Sequence, residues 1–197
     1  PFVWQSGSAR MAGCWRRIST ATRSSDSVAG WSGSGKTTLM VRLLPELIAR
    51  GISVSTMKHT HHNVDLDQPG KDSYEHREAG AHEVLIASSN RWALTRELHD
   101  EPEPDMDELI ARMEPVDLLL IEGFKNHRHA KLEIHRADTQ KSLIGSDEPT
   151  IVAIASDEPL DDVTVPVLDL NDVAAIADFI VDFNGIGGKK GQANDTA

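Results

Sequence analysis

Apolar positions along the chain alternate between two rhythms. Short runs at residues 52–57, 84–87, 116–121, 132–135, 151–155 and 165–168 have the length and composition of strands. Residues 92–94 add another short candidate strand. Between these runs the apolar residues recur every three or four positions. Over residues 37–50, Leu39, Met40, Leu43, Leu44, Leu47 and Ile48 form one helical face. Pro45 lies inside that helix and predicts a kink or a change of pitch, because it removes one backbone donor. Gly51 ends it. Residues 73–79 read as a short helix stopped by Gly80, and Asp105 caps a helix running through Met113. Asn171 is the expected cap of a last helix, whose stripe is Val173, Ile176, Ala177, Ile180 and Val181 and whose stop is Gly185. The run at 116–121 is apolar without interruption, as a strand buried on both faces requires.

Strand followed by helix, repeated, predicts an α/β fold with a mainly parallel sheet flanked by helices. In such folds ligands bind beyond the carboxyl ends of the strands. The weak point is the start. Residues 27–29 should end a first strand, yet SSDSVAG is a poor strand by composition. Residues 1–26 carry Arg10, Arg16, Arg17 and Arg23 among many serines, and no acid before Asp26. They read as a disordered or non-native leader. Residues 184–197 are Gly-rich and polar and read as a flexible tail, which leaves 27–183 as the folded domain.

The phosphate-binding chemistry is legible at the end of that first strand. Gly30-Trp31-Ser32-Gly33-Ser34-Gly35-Lys36-Thr37 matches G-x-x-x-x-G-K-[ST] in full. Glycines let successive amides turn into one hollow, and the following helix adds its free N–H groups and the positive end of its dipole. Lys36 supplies a mobile charge for the β and γ phosphates. The Thr37 hydroxyl is a hard oxygen for Mg²⁺. The fold class expected is therefore that of a P-loop NTPase.

Two further motifs end on acids. Leu118-Leu119-Leu120-Ile121-Glu122-Gly123 is an apolar strand closing on a carboxylate that can hold Mg²⁺ or orient a water. Gly123 allows close backbone approach. Ala153-Ile154-Ala155-Ser156-Asp157 closes on an acid that could accept from N1 and N2 of guanine, a donor pair adenine lacks. A turn or helix-cap acid is the alternative there. Lys58-His59-Thr60-His61-His62-Asn63-Val64-Asp65 follows the second strand and could contact phosphate, Mg²⁺-bound water or a transition metal. Asp65 is a candidate second carboxylate near the metal. Arg91 is a candidate ligand contact, Trp92 a candidate core residue, and Arg77 a member of a mostly solvated helix face.

Charge narrows the partners. The 197 residues carry a formal net charge of −11, which argues against a general nucleic-acid or membrane surface. No apolar run approaches a membrane span. Cys14 is alone, so no intrachain disulfide can form, and a reducing compartment is expected.

Taken together, GWSGSGKTTL, STMKHTHHNVDLDQPGKDSY, HREAGA, RWAL, LLLIEGFK and AIASDEPL resemble the molybdopterin-guanine dinucleotide biosynthesis adapter family (MobB) over residues 28–183. The resemblance implies a GTP-binding adapter in molybdenum cofactor biosynthesis with weak GTPase activity. It implies Mg²⁺, a homodimer in the cytoplasm, and a guanylyltransferase partner that joins GMP to molybdopterin. Carried over by position, Gly33, Ser34, Gly35, Lys36, Thr37 and Thr38 hold phosphates. Asp65 and Glu122 lie near Mg²⁺, Lys125 lies near the nucleotide, and the histidine segment lines the site. The chain departs from the family where the Arg- and Ser-rich leader replaces most of the first strand, as a misassigned start or a shifted frame upstream of Val28 would produce. Two other readings compete: a small-molecule kinase, for which no Arg-rich lid is visible, and a metal-delivery GTPase using His61 and His62.

Overall fold

Strand order explains why the weak first strand still forms. The computed structural model describes residues 24–60, 66–124, 128–145 and 148–186. A six-stranded sheet is built from β1 (Ser24–Ala29), β2 (Val54–Lys58), β5 (Leu118–Glu122), β6 (Lys131–His135), β7 (Ile151–Ser156) and β8 (Val167–Asp169), in the order β2-β5-β1-β6-β7-β8. Every pairing in it is parallel. The strand of poorest composition is therefore central, flanked by the apolar strand β5 and by β6, which adds Leu132 and Ile134. Its backbone is satisfied on both edges, and the Ser27 hydroxyl donates to Ile121 O at 3.0 Å. β1 begins at Ser24, three residues before the expected start of the folded domain.

Alternation along the strands assigns the two faces. Leu118 and Leu120 of β5, and Leu132 and Ile134 of β6, point to one side and pack with Val28. That side is covered by α1 (Lys36–Ala49) and α4 (Val173–Asn184) through Leu39, Leu43, Leu47, Ile176 and Ile180. Leu119 and Ile121 point to the other side, against Phe124 and Met106 of the short helix α3 (Met106–Ile110). Asp105 caps α3, as its sequence position predicts, in a full capping box with Glu108, and the helix ends at Ile110, short of the expected Met113. A short helix α2 (Asp72–Glu78) leads to an antiparallel hairpin of β3 (Glu83–Ala87) and β4 (Trp92–Arg96), which pairs only with itself.

Helix α1 continues past Pro45, which is exposed, so the carbonyl it leaves unpaired one turn back faces water. Several local expectations are corrected. Ile48 is exposed because α1 turns it away from α4 and the sheet. Trp92 is 66% exposed on the hairpin and is no part of the core. The last helix is capped by Asp172, whose side chain accepts from Ala175 N at 2.9 Å, while Asn171 binds Asp169 through its own N–H. The fold also extends past residue 183: Asn184 closes α4, Gly185 takes a left-handed φ of 61°, and Ile186 packs on the core.

Asp26 is the cost of this β1 sequence. Its side chain faces the α1/α4 side, accepts a hydrogen bond from Asn184 Nδ2, and leaves Oδ1 buried without a partner among the described residues. Burial pushes its pKa up to about 6, partly opposed by the Asn184 bond. A folded-state pKa above the unfolded value means the native state binds the proton more tightly. The contribution of Asp26 to stability is then most favourable below the unfolded pKa of 3.8 and is lost as pH rises through about 6. Asp26→Asn is expected to flatten that dependence and to raise stability above pH 6 by roughly 3 kcal/mol. Urea unfolding at pH 4 to 8 checks this, and an unchanged slope with pH would contradict it.

Candidate functional site

The phosphate loop leaves β1 at Gly30 and enters α1 at Lys36, so both ends are held by rigid elements. Gly30 has φ 145°, and a Cβ there would lie 2.6 Å from Ser34 Oγ and 2.9 Å from Ile134 O. Only glycine fits. Within the loop Ser34 N donates to Trp31 O at 3.1 Å, and Gly33 and Gly35 take left-handed φ values of 84° and 89°. Ser32, Thr37 and Thr38 are exposed at the loop and the first turn of α1. That first turn has N–H groups with no intrahelical acceptor, which favours an anion at its mouth. Lys36 Nζ donates to the carbonyls of Gly30 at 3.0 Å and Trp31 at 2.9 Å, and so lies folded over the loop.

Parallel pairing of β5 beside β1 brings Glu122 to this loop. Thr37 Oγ1 is 3.4 Å from both Glu122 carboxylate oxygens. A hydroxyl and a carboxylate converging at the loop's helix entry are a hard-oxygen donor set of the kind Mg²⁺ takes alongside water and phosphate. The buried Ser34 Oγ, with no partner among the described residues, is a further polar atom at the loop. These residues fit a magnesium-polyphosphate ligand. Lys58 Nζ, on an exposed side chain, lies 3.5 Å from Glu122 Oε1.

His59 is placed at the same strand ends but turned to a structural task. Its N–H donates to Glu122 O at 2.8 Å, its Nε2 meets Glu103 Oε1 at 2.7 Å, and its ring packs 4.5 Å from that of Phe124. Gly123 makes room for it: φ is 106°, and a Cβ would lie 2.9 Å from His59 Cβ. Arg91 lies in the turn of the β3–β4 hairpin, where its N–H bonds Ser88 Oγ at 3.2 Å, and no described contact brings it to the loop. Asp157 accepts from Ala137 N at 3.0 Å and from Arg136 at 3.2 Å, so it acts as a turn acid, with one lone-pair site left on each oxygen. Arg77 is engaged by Asp67 and Glu97 and stacks 5.1 Å over Tyr74. Asp65, His61, His62 and Lys125 lie outside the described residues. Among those described, no cluster of three His, Cys, Asp or Glu side chains is placed to hold a metal ion.

Two contributors escape sequence reasoning. Arg136 donates to Ser34 O at 3.0 Å, and Trp31 Nε1 donates to Ser142 O at 2.8 Å. Arg136 follows a strand end, the signal that marked Glu122 and Asp157. A cavity of about 160 Å³ adjoins the loop, lined by Ala29, Gly30, Lys36, Gly123, Lys131, Ile144 and others. Lys131 at its edge donates to Thr150 Oγ1 at 2.6 Å.

Known proteins resemble this chain in sequence and in fold. The profile of the family described as molybdopterin guanine dinucleotide synthesis protein B matches residues 27–157. The molybdopterin-guanine dinucleotide biosynthesis adapter protein of Escherichia coli is 48% identical over 159 residues, covering 79% of this chain and 90% of that protein. The protein of the same name in Haemophilus influenzae is 44% identical over 156 residues, covering 78% and 85%. A crystal structure of molybdopterin-guanine biosynthesis protein B superposes with a TM-score of 0.65 at 28% identity, covering 81% of this chain and 99% of that one. The structure of Bacillus subtilis MobB, at 24% identity and a TM-score of 0.64, supports the fold alone.

Gly123→Ala is expected to destabilise the fold by about 1–3 kcal/mol, since it forces an L residue into left-handed backbone against His59. Chemical denaturation measures it; a loss under a few tenths of a kcal/mol would remove the close approach from the account.

Proposed function

This chain belongs to the molybdopterin guanine dinucleotide synthesis protein B family, and from that premise we propose that it binds GTP with Mg²⁺ as an adapter for a guanylyltransferase that joins GMP to molybdopterin. The observation that carries the nucleotide reading is the convergence of Thr37 and Glu122 beside a complete phosphate loop. The kinase and metal-delivery readings are not favoured by the family match. Asp65 near Mg²⁺ and Lys125 near the nucleotide are carried by family position alone.

In this reading Lys36 leaves the carbonyls of Gly30 and Trp31 and turns its ammonium to the β and γ phosphates. The loop amides and the first turn of α1 take the remaining phosphate oxygens. Thr37 and Glu122 hold Mg²⁺, which when bound neutralises charge on the phosphate chain. Asp157 accepts from the guanine edge through its remaining lone pairs. Hydrolysis by the chain alone is slow, and a partner or the dimer mate would supply the charge that an arginine finger brings to the transferred phosphoryl group. The adapter acts in the cytoplasm; among the described residues no helix is long and apolar enough to cross a membrane.

We also propose a homodimer joined through the β3–β4 hairpin. Leu85 and Leu94 are paired across it and are 61% and 49% exposed, and Trp92 stands beside them. Contiguous apolar surface of this kind marks an interface.

Calorimetric competition of GTP against ATP, with and without Mg²⁺, tests the nucleotide site. Lys36→Ala is expected to weaken GTP binding by about 2 kcal/mol, roughly thirtyfold. Glu122→Gln is expected to reduce Mg²⁺-dependent hydrolysis more than binding, and Asp157→Asn to lower the GTP-to-ATP ratio. Equal affinity in wild type and Lys36→Ala would count against the site. For the dimer, Trp92→Glu and Leu85→Glu are each expected to halve the mass seen by light scattering; an unchanged mass in both would move the interface elsewhere.

A further inference from the structure

The segment after β6 grips the phosphate loop from outside. Arg136 Nε donates to Ser34 O at 3.0 Å, and the same guanidinium reaches Asp157 Oδ2 at 3.2 Å through Nη1. Asp157 Oδ1 in turn accepts from Ala137 N at 3.0 Å, which fixes the carboxylate. A Cβ on Gly35 would lie 3.1 Å from Arg136 Nε, so the guanidinium lies directly against the last glycine of the loop. Farther along, Ser142 O takes the Trp31 indole N–H at 2.8 Å, and Lys141 Nζ stands 5.9 Å from that ring.

The consequence lies in one peptide unit. Ser34 C=O and Gly35 N–H belong to the same rigid plane and point in opposite directions. A donor fixed on the oxygen therefore sets the direction of the N–H. A charged donor on the carbonyl also polarises the peptide and strengthens that N–H as a donor. Asp157 holds the guanidinium in the required orientation and balances its charge.

We propose that Arg136, held by Asp157, is a positioning residue that locks the Ser34–Gly35 peptide so that its N–H is presented to a polyphosphate. This rests on the nucleotide reading above. It gives Asp157 an action on the phosphate grip that is independent of any base.

A ligand without a base separates the two actions. Calorimetry on the full chain uses magnesium tripolyphosphate and Mg²⁺-GTP, with wild type, Arg136→Met, Arg136→Lys, Asp157→Ala and the double variant Arg136→Met/Asp157→Ala. Arg136→Met is expected to weaken both ligands by the same factor, about tenfold. Arg136→Lys is expected to keep the fold, judged by an unchanged melting temperature, without restoring affinity, because an ammonium cannot replace the planar fork that bridges Ser34 and Asp157. Asp157→Ala is expected to weaken tripolyphosphate as well, and to add nothing to the tripolyphosphate loss in the Arg136→Met background. Wild-type binding with full affinity retained in Arg136→Met and Arg136→Lys overturns the proposal while leaving the nucleotide reading intact. Tripolyphosphate losses from Arg136→Met and Asp157→Ala that simply multiply overturn it too. If wild type binds neither ligand, the nucleotide reading fails and this proposal fails with it.

Discussion

A side chain at residue 30 has nowhere to go: its first carbon would press on Ser34 Oγ at 2.6 Å and on the Ile134 carbonyl at 2.9 Å. The chain must leave the sheet, turn sharply, and re-enter as a helix within a few residues. The neighbour that closes this turn from below is β6, and the atom it closes against is Ser34. The phosphate loop is therefore shaped by the sheet as much as by its own glycines. The loop, the helix entry and Glu122 keep their relation only because β5 and β6 flank β1.

That dependence makes the composition of β1 consequential. Ser24, Ser25, Asp26 and Ser27 supply little apolar burial to the central strand of a parallel sheet. The neighbours compensate. Leu118 to Ile121 provide apolar layers on both faces, Leu132 and Ile134 add to the α1/α4 face, and the Ser27 hydroxyl is satisfied by β5. Asp26 is not fully compensated, since one of its oxygens has no partner among the described residues. The strand carrying the phosphate loop thus draws its stability from its neighbours. A functional motif here stands on a locally weak element.

Much of this was legible because it is local. The glycine loop, the apolar run ending in Glu122, the stripe of α4 and the capping box of α3 each depend on residues a few positions apart. Local pattern fails where placement is decided by distant packing. Ile48 and Trp92 have the composition of core residues, but α4 covers a narrower face of α1 than the pattern suggests, and the hairpin pairs only with itself. Asn171 and Asp172 are both good caps; which one serves depends on how β8 delivers the chain to α4. His59 belongs to a phosphate-site motif in the sequence, yet Glu103 and Phe124 claim its imidazole.

By itself the sequence determined most of the elements, the parallel α/β class, the phosphate-loop motif and the apolar strand ending in Glu122, because each follows from residue type at short spacing. The tertiary structure alone decided the strand order, and with it which distant residues meet the loop. Arg136 stands about a hundred positions from Ser34, and no periodicity or motif links them. They touch because β6 lies next to β1, an adjacency set by how whole strands share a sheet.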